Sequence, residues 1–265
     1  MNTPSHDALV SYEIRDGIAL VGLSRPQKRN AISDAVVEEL DIWITRAERE
    51  AKAAILFGHG THFCAGLDLA EHIEKSAIEG VRGSQRWHDV FAKIEHGTIP
   101  WIAALQGAVI GGGLELASST HIRVADSTAF FALPEGQRGI FVGGGGSVRT
   151  SRLMGVARMT DMMLTGRVAT AAEAEKWNLA QYVVEEGQAI DKAMELAKSA
   201  ASNSEISNYA IINALPRIQD MSRDDGLFVE SFIASFTASE PEARKRLRDF
   251  LEKRAGKVQD PNAKS

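Results

Sequence analysis

Apolar residues recur along this chain at two different periods, and the period changes part-way. Two apolar-rich runs, Ala8–Ile14 and Gly17–Leu23, flank Arg15-Asp16-Gly17. Asp-Gly between such runs predicts a hairpin, because the tight connection needs positive φ at successive residues. Ser33-Asp34 can cap a helix over Ala35–Glu50, where Val36, Leu40, Trp43, Ile44 and Ala47 fall at helical spacing. Ala53–Phe57 and Trp101–Leu105 are short continuous apolar runs, the pattern of strands covered on both faces. Between them, from about Ala70 to Gly97, a charged segment reads as helical, with Trp87, Val90, Phe91 and Ile94 in one stripe that packs on the core. His121–Ala125 and Thr128–Leu133 predict two strands around Asp126-Ser127, and Ala180–Val184 predicts a last one. Ser147–Met154, Ala157–Leu164 and Thr170–Trp177 predict helices. From Gln188 onwards only the helical period remains, over about Ala189–Ser202, Ser204–Ile218, Arg223–Thr237 and Pro241–Arg254.

Strands alternating with helices, followed by helices alone, predict an α/β core with an α-helical C-terminal part. The expected division is residues 1–187 for the core and 188–258 for the helical region, with 259–265 as a disordered tail.

Composition narrows the function. Thirty basic against thirty-five acidic side chains give a net charge of -5, which disfavours a nucleic-acid surface. No apolar run approaches the roughly 20 residues of a membrane helix. The short polar start, Met1–Asp7, lacks a basic region followed by an apolar one, so no secretory signal is expected. Cys64 is the sole cysteine, which fits a reducing compartment; a cytoplasmic location is the expectation. No Cys/His cluster has metal-ligand spacing, so no metal is expected.

The chemistry gathers around Gly107-Ala108-Val109-Ile110-Gly111-Gly112-Gly113-Leu114-Glu115-Leu116-Ala117, which follows the apolar run Trp101–Leu105. The glycines let the backbone turn sharply and leave amides uncovered. Leu114–Ser118 reads as the first turns of a helix, whose free N–H groups and positive dipole end suit a phosphate or a developing oxyanion. Glu115 sits just inside that turn, and Glu135 returns in Leu133-Pro134-Glu135-Gly136. Two carboxylates beside a backbone anion site suggest proton transfer next to a carbonyl. Read alone, Glu115 is more readily a first-turn helix acid and Glu135 a solvated turn.

Several segments together carry a resemblance. Arg25-Pro26 with Asn30-Ala31, Phe63-Cys64-Ala65-Gly66-Leu67-Asp68-Leu69, the Gly107–Ala117 stretch, Pro134-Glu135, Leu164-Thr165-Gly166 and Phe250-Leu251-Glu252-Lys253-Arg254 resemble, in order, the crotonase superfamily. The pattern is most similar to the enoyl-CoA hydratases, lyases of fatty acid metabolism. The resemblance implies an α/β fold, a crotonase-like spiral of ββα units with a C-terminal helical trimerisation part, and a homo-trimer or a dimer of trimers (a hexamer). It implies an acyl-CoA thioester substrate and no cofactor beyond the coenzyme A of that substrate. It implies an oxyanion hole from the N–H groups of Leu67 and Gly112, and catalysis by Glu115 and Glu135. It places Arg25, Lys28, Arg29, Ala65, Gly66 and Asp68 around coenzyme A. The implied reaction is syn-type addition of water to a 2-enoyl-CoA, giving a 3-hydroxyacyl-CoA through a stabilised enolate. Enoyl-CoA isomerase, another family hydrolase or lyase acting on an acyl-CoA or diketone, and an inactive CoA-binding subunit are the alternatives.

Other features weigh less. Gly143–Gly146 lacks the Lys-Ser/Thr of a phosphate loop; it reads as backbone passing the acyl chain or admitting the next helix, and less as an anion cradle. Ser118, Ser119, His121 and Cys64 read as structural. Arg244, Lys245, Arg246, Arg248, Lys253 and Arg254 alternate with acids and read as a solvated helix face. Phe228, Phe232 and Phe236, four apart, read as subunit or core packing. Gly136-Gln137-Arg138 departs from the hydratase pattern, where an apolar residue follows the second glutamate, and predicts a more polar or flexible wall.

Overall fold

The structure, a computed structural model, describes residues 8–252 and 254. The predicted hairpin is formed by β1 (Val10–Arg15) and β2 (Ile18–Leu23), paired antiparallel from Val10↔Leu23 to Arg15↔Ile18. Asp16 and Gly17 take φ of 53° and 78°, the two consecutive left-handed residues that such a turn demands. Helix α1 (Asp34–Glu50) starts where Ser33 accepts the N–H of Val36. Strand β3 (Ala53–Gly58) then pairs parallel to β2 and is buried at every position.

After α2 (Leu69–His72) and α3 (Ala77–Glu95), β4 (Trp101–Leu105) pairs parallel to β3. Gly107, at φ 53°, redirects the chain into β5 (Ala108–Ile110), and α4 (Gly112–Ala117) follows. Next come β6 (Ile122–Asp126) and β7 (Phe130–Ala132), then α5 (Gly146–Met154) and α6 (Val156–Thr165). β8 (Val168–Thr170), α7 (Ala171–Lys176) and β9 (Tyr182–Val184) complete the strands. The main sheet runs β1-β2-β3-β4-β6-β9, and the small one β5-β7-β8. β4–β5–α4 and β6–β7–α5 are therefore ββα units with one strand in each sheet. The two strands around Asp126-Ser127 belong to different sheets and do not pair as neighbours. The mixed α/β architecture with ββα units is the one the resemblance implied.

Alternation along the strands divides the core. Ala19, Val21, Leu23, Ala54, Leu56, Ala103 and Leu105 face one apolar cluster with α1 and α3. Ile18, Leu20, Ala53, Ile55, Phe57, Ile102 and Ala104 face another, closed by Ala189, Ala193 and Ala197 of α8 (Ala189–Ala201). Those alanines recur every fourth residue, so small side chains bring α8 close onto the sheet. The first compact unit accordingly extends to Ser202, and α8 belongs with the sheet and not with the helices that follow it, moving the division from the expected 187/188 to 202/203.

The second unit holds α9 (Glu205–Ile218), α10 (Arg223–Ser239) and α11 (Pro241–Leu251). Ser222 caps α10 by accepting the N–H of Asp225. Phe228, Phe232 and Phe236 are exposed along α10, as are Leu247, Phe250 and Leu251 on α11. The expected tail at 259–265 lies outside the described residues. Among the described residues no helix is long and apolar enough to cross a membrane.

Candidate active site

Two turns create the floor of the site. In the first, Gly66 takes φ of 96°, and its carbonyl accepts the Ile32 N–H while the Asp68 N–H donates to Ile32. This parallel bridge turns the intervening Leu67 N–H to the opposite side. In the second, Gly111 takes φ of 52°, and Gly112 becomes the first residue of α4, whose N–H has no acceptor within the helix. The two amides are neighbours: a Cβ built on Gly112 would lie 3.5 Å from the Leu67 nitrogen, and one built on Gly66 would lie 3.4 Å from the Gly112 nitrogen.

Glu115 projects from the first turn of α4 and is buried. Its Oε1 accepts the N–H groups of Gly144 and Gly146, each at 2.8 Å. Glu135 follows β7 through Leu133-Pro134 and is also buried. Its Oε1 lies over Gly111, while its Oε2 is buried without a hydrogen-bond partner among the described residues. Both acids line one cavity of about 400 Å³, together with Ala65, Gly66, Leu67, Gly111 and Gly112.

The environments of the two acids differ. Burial raises the pKa of Glu115, while the N–H donors of Gly146, Gly144 and Gly143 pull it back. Burial pushes Glu135 up to about 7, and the neighbouring Glu115 adds to the rise. Burial therefore disfavours the charged form of both acids, and the charge of Glu115 adds to that cost at Glu135. Glu115, with its donors, is the better seat for the charge; Glu135 is the better seat for the proton.

Leu69, Trp87, Ile110, Ile140 and Phe141 supply the apolar walls. Trp87 is more than core packing. Its ring lies so close to Gly112 and Gly144 that a Cβ on either would sit 2.7 or 2.9 Å from it. Lys75 and Asp34, ion-paired at 2.6 Å, also line the cavity.

The glycine run does more than the sequence reading gave it. Gly143 and Gly144 line the cavity and α5 begins at Gly146, as expected, and the Gly144 and Gly146 N–H groups also cradle the chain's own Glu115 carboxyl. Gly136 is closely packed: a Cβ there would strike the Met163 carbonyl, and Gln137 donates to the Thr165 carbonyl at the end of α6. Arg138 lines the cavity, the polar element expected of this wall.

The expected coenzyme A residues separate. Ala65 and Gly66 line the cavity. The Arg25 guanidinium is buried against the Ala31 carbonyl and Asp68, with the ion pair at 3.0 Å, so it fastens two loops together. Lys28 reaches the same carboxylate at 3.2 Å, and these cations hold Asp68 below the usual carboxylate range. Arg29 occupies an exposed left-handed position, φ 49°. Cys64 is buried, its thiol pushed up to about 12 by burial. His121 accepts the Trp101 N–H, and burial drives it down to about 4. Ser118 bonds Thr150. These groups are structural, as read. Among the described residues no cluster of His, Cys, Asp or Glu could hold a metal ion.

Comparison with known proteins supplies the family. The sequence profile described as enoyl-CoA hydratase/isomerase matches residues 13–261. The chain belongs to this family. It is 34% identical over 263 residues to enoyl-CoA hydratase EchA19 of Mycobacterium tuberculosis, covering 96% of this chain and 97% of that one. It is 33% identical over 248 residues to a short-chain-enoyl-CoA hydratase of Clostridium acetobutylicum, covering 92% and 95%. The crystal structure of a provisionally named enoyl-CoA hydratase from Rhodopseudomonas palustris superposes with a TM-score of 0.91 at 48% identity, covering 96% and 98%.

Proposed function

We propose that this enzyme is an enoyl-CoA hydratase that adds water syn across the double bond of a 2-enoyl-CoA thioester. The observation that carries the proposal is the pairing of Glu115, held by two N–H donors, with Glu135, whose Oε2 has no partner among the described residues, in one cavity.

The costly species is the enolate of the thioester. The N–H groups of Leu67 and Gly112 face its oxygen, and one such donor is worth about 3 kcal/mol in a water-poor site. Glu115 takes a proton from the water as its oxygen bonds to C3. Glu135 gives its proton to C2. The pair gains one proton and loses one, so its total is unchanged through the reaction. Both acids face one cavity, which supports addition from one face. No cofactor enters these steps; coenzyme A arrives as part of the substrate. The exposed Lys28 and Arg29, and Lys75 at the cavity, are cations suited to its phosphates.

We further propose that the enzyme works as a homo-trimer or dimer of trimers, assembled through the exposed apolar residues of the helical unit.

The test is product analysis with crotonyl-CoA. The expected product is 3-hydroxybutyryl-CoA, and Glu115→Gln and Glu135→Gln each lower kcat by about 100-fold or more while thioester binding survives. Near-normal turnover in either variant removes that acid from the mechanism.

A further inference from the structure

Four consecutive glycines have more backbone freedom than any other tetrapeptide, yet Gly144 and Gly146 must aim two N–H groups at one oxygen atom. Something outside the loop holds them. The Arg149 Nη1 donates to the Gly144 carbonyl at 2.9 Å. Its Nε donates to Glu95 at 2.5 Å, across 54 residues of sequence. The Arg149 side chain is buried and crosses directly over Gly145, where any Cβ would strike the guanidinium. Gly145 itself stands at φ 97°. Glu95 is the last residue of α3, which also brings Ser84 to the Gly143 carbonyl at 2.6 Å and Trp87 to Gly144.

We propose that Arg149, anchored by Glu95, is the positioning residue for Glu115. It fixes the Gly144 carbonyl and, through that residue, the N–H groups that hold the carboxylate. The end of α3 is thereby tied to the acid that accepts the water's proton. Arg149 does not line the cavity and touches no reacting atom in this arrangement. The inference rests on the reading of Glu115 as the base.

The experiment is a cycle of Arg149→Gln, Glu115→Gln and the double variant, with Arg149→Lys and Glu95→Gln alongside. Arg149→Gln lowers kcat by about tenfold to 100-fold with little change in KM, because a misplacement of about 1 Å is enough for such a loss. Its acid limb in kcat/KM moves to higher pH, since Glu115 loses donors that favour its charge. Arg149→Lys recovers part of the rate. In the Glu115→Gln background the same replacement costs less than about threefold. Loss of Arg149 costing as much with Glu115 absent as with it present overturns the inference, as does an unchanged rate and pH profile in a folded Arg149→Gln. If Arg149→Gln fails to fold, Glu95→Gln carries the same expectations. If Glu115→Gln alone keeps turnover, the functional reading fails. The positioning claim is then decided by a crystal structure of Arg149→Gln: a Gly144–Glu115 hydrogen bond kept at its present length refutes it.

Discussion

Gly111 and Glu135 are in contact by default of a side chain: a Cβ on Gly111 would lie 2.7 Å from Glu135 Oε1. The same glycine stands at φ 52°, where an L residue is strained. Gly111→Ala therefore acts twice. The backbone strain costs about 1 kcal/mol, a drop of a few degrees in melting temperature. The displaced Glu135 costs more in rate, with kcat expected to fall about 100-fold. Calorimetry and steady-state hydration assays on the same preparation separate the two effects; a melting change with normal kcat rejects the contact as functionally important.

Glu135, pushed up to about 7 by burial and by Glu115, places a titration at physiological pH. The active pair carries one proton, and that proton is lost as pH rises through the upper apparent pKa. The kcat/KM for hydration is expected to be flat or rising below about 7 and to fall about tenfold per pH unit well above it. No net proton is exchanged in the reaction, so dehydration of the 3-hydroxyacyl-CoA shows the same alkaline limb. A rate that climbs steadily from pH 7 to 9 contradicts this proton count.

The same shift acts on stability. The folded pKa of Glu135, about 7, lies above its ordinary 4.5, so the folded chain holds more proton than the unfolded one between those values. Stability is then fully present below about 4.5 and is lost as pH rises through about 7. Glu135→Gln has no such titration. Its stability relative to the parent should improve between pH 4.5 and pH 8 by on the order of 2 kcal/mol, allowing for the solvent that reaches the cavity. Melting temperatures at the two pH values measure it, with roughly 4–8 °C expected. A constant difference between the two proteins sinks the claim.

The parts of this architecture that were legible beforehand are those written in local pattern. Asp16-Gly17 specifies its turn by φ alone, and Ser33 caps α1 with its own hydroxyl. The buried strands β3 and β4 are continuous apolar runs bounded by turns. β5 and β8 are three residues each, too short to show a period, and exist because they pair with β7. The partition of β6 and β7 into two sheets is a tertiary fact with no local signal. Likewise Glu115 and Glu135 could be suspected from residue type and glycine context. That Glu115 finds its donors at Gly144 and Gly146, about thirty residues on, depends on where α5 begins. Trp87 falls on the same helical stripe as Val90, Phe91 and Ile94, so its period marks it as core; only the fold shows that the end of that stripe is also a wall of the cavity.

The helical unit offers the last test. Phe228, Phe232 and Phe236 lie on one stripe of α10, between 56% and 65% exposed, and the first two rings meet edge to face at 4.8 Å. A monomer rarely leaves large aromatics in a row facing water, because each could withdraw roughly 150–250 Å² from solvent on association. Charge at the centre of the stripe is the sharpest probe. Phe232→Glu should shift the mass measured by light scattering from three or six chains toward one, at micromolar concentration, since an unpaired carboxylate in an apolar contact is strongly unfavourable. Phe232→Leu keeps apolar area and should keep the assembly. An unchanged mass in Phe232→Glu assigns assembly to another surface.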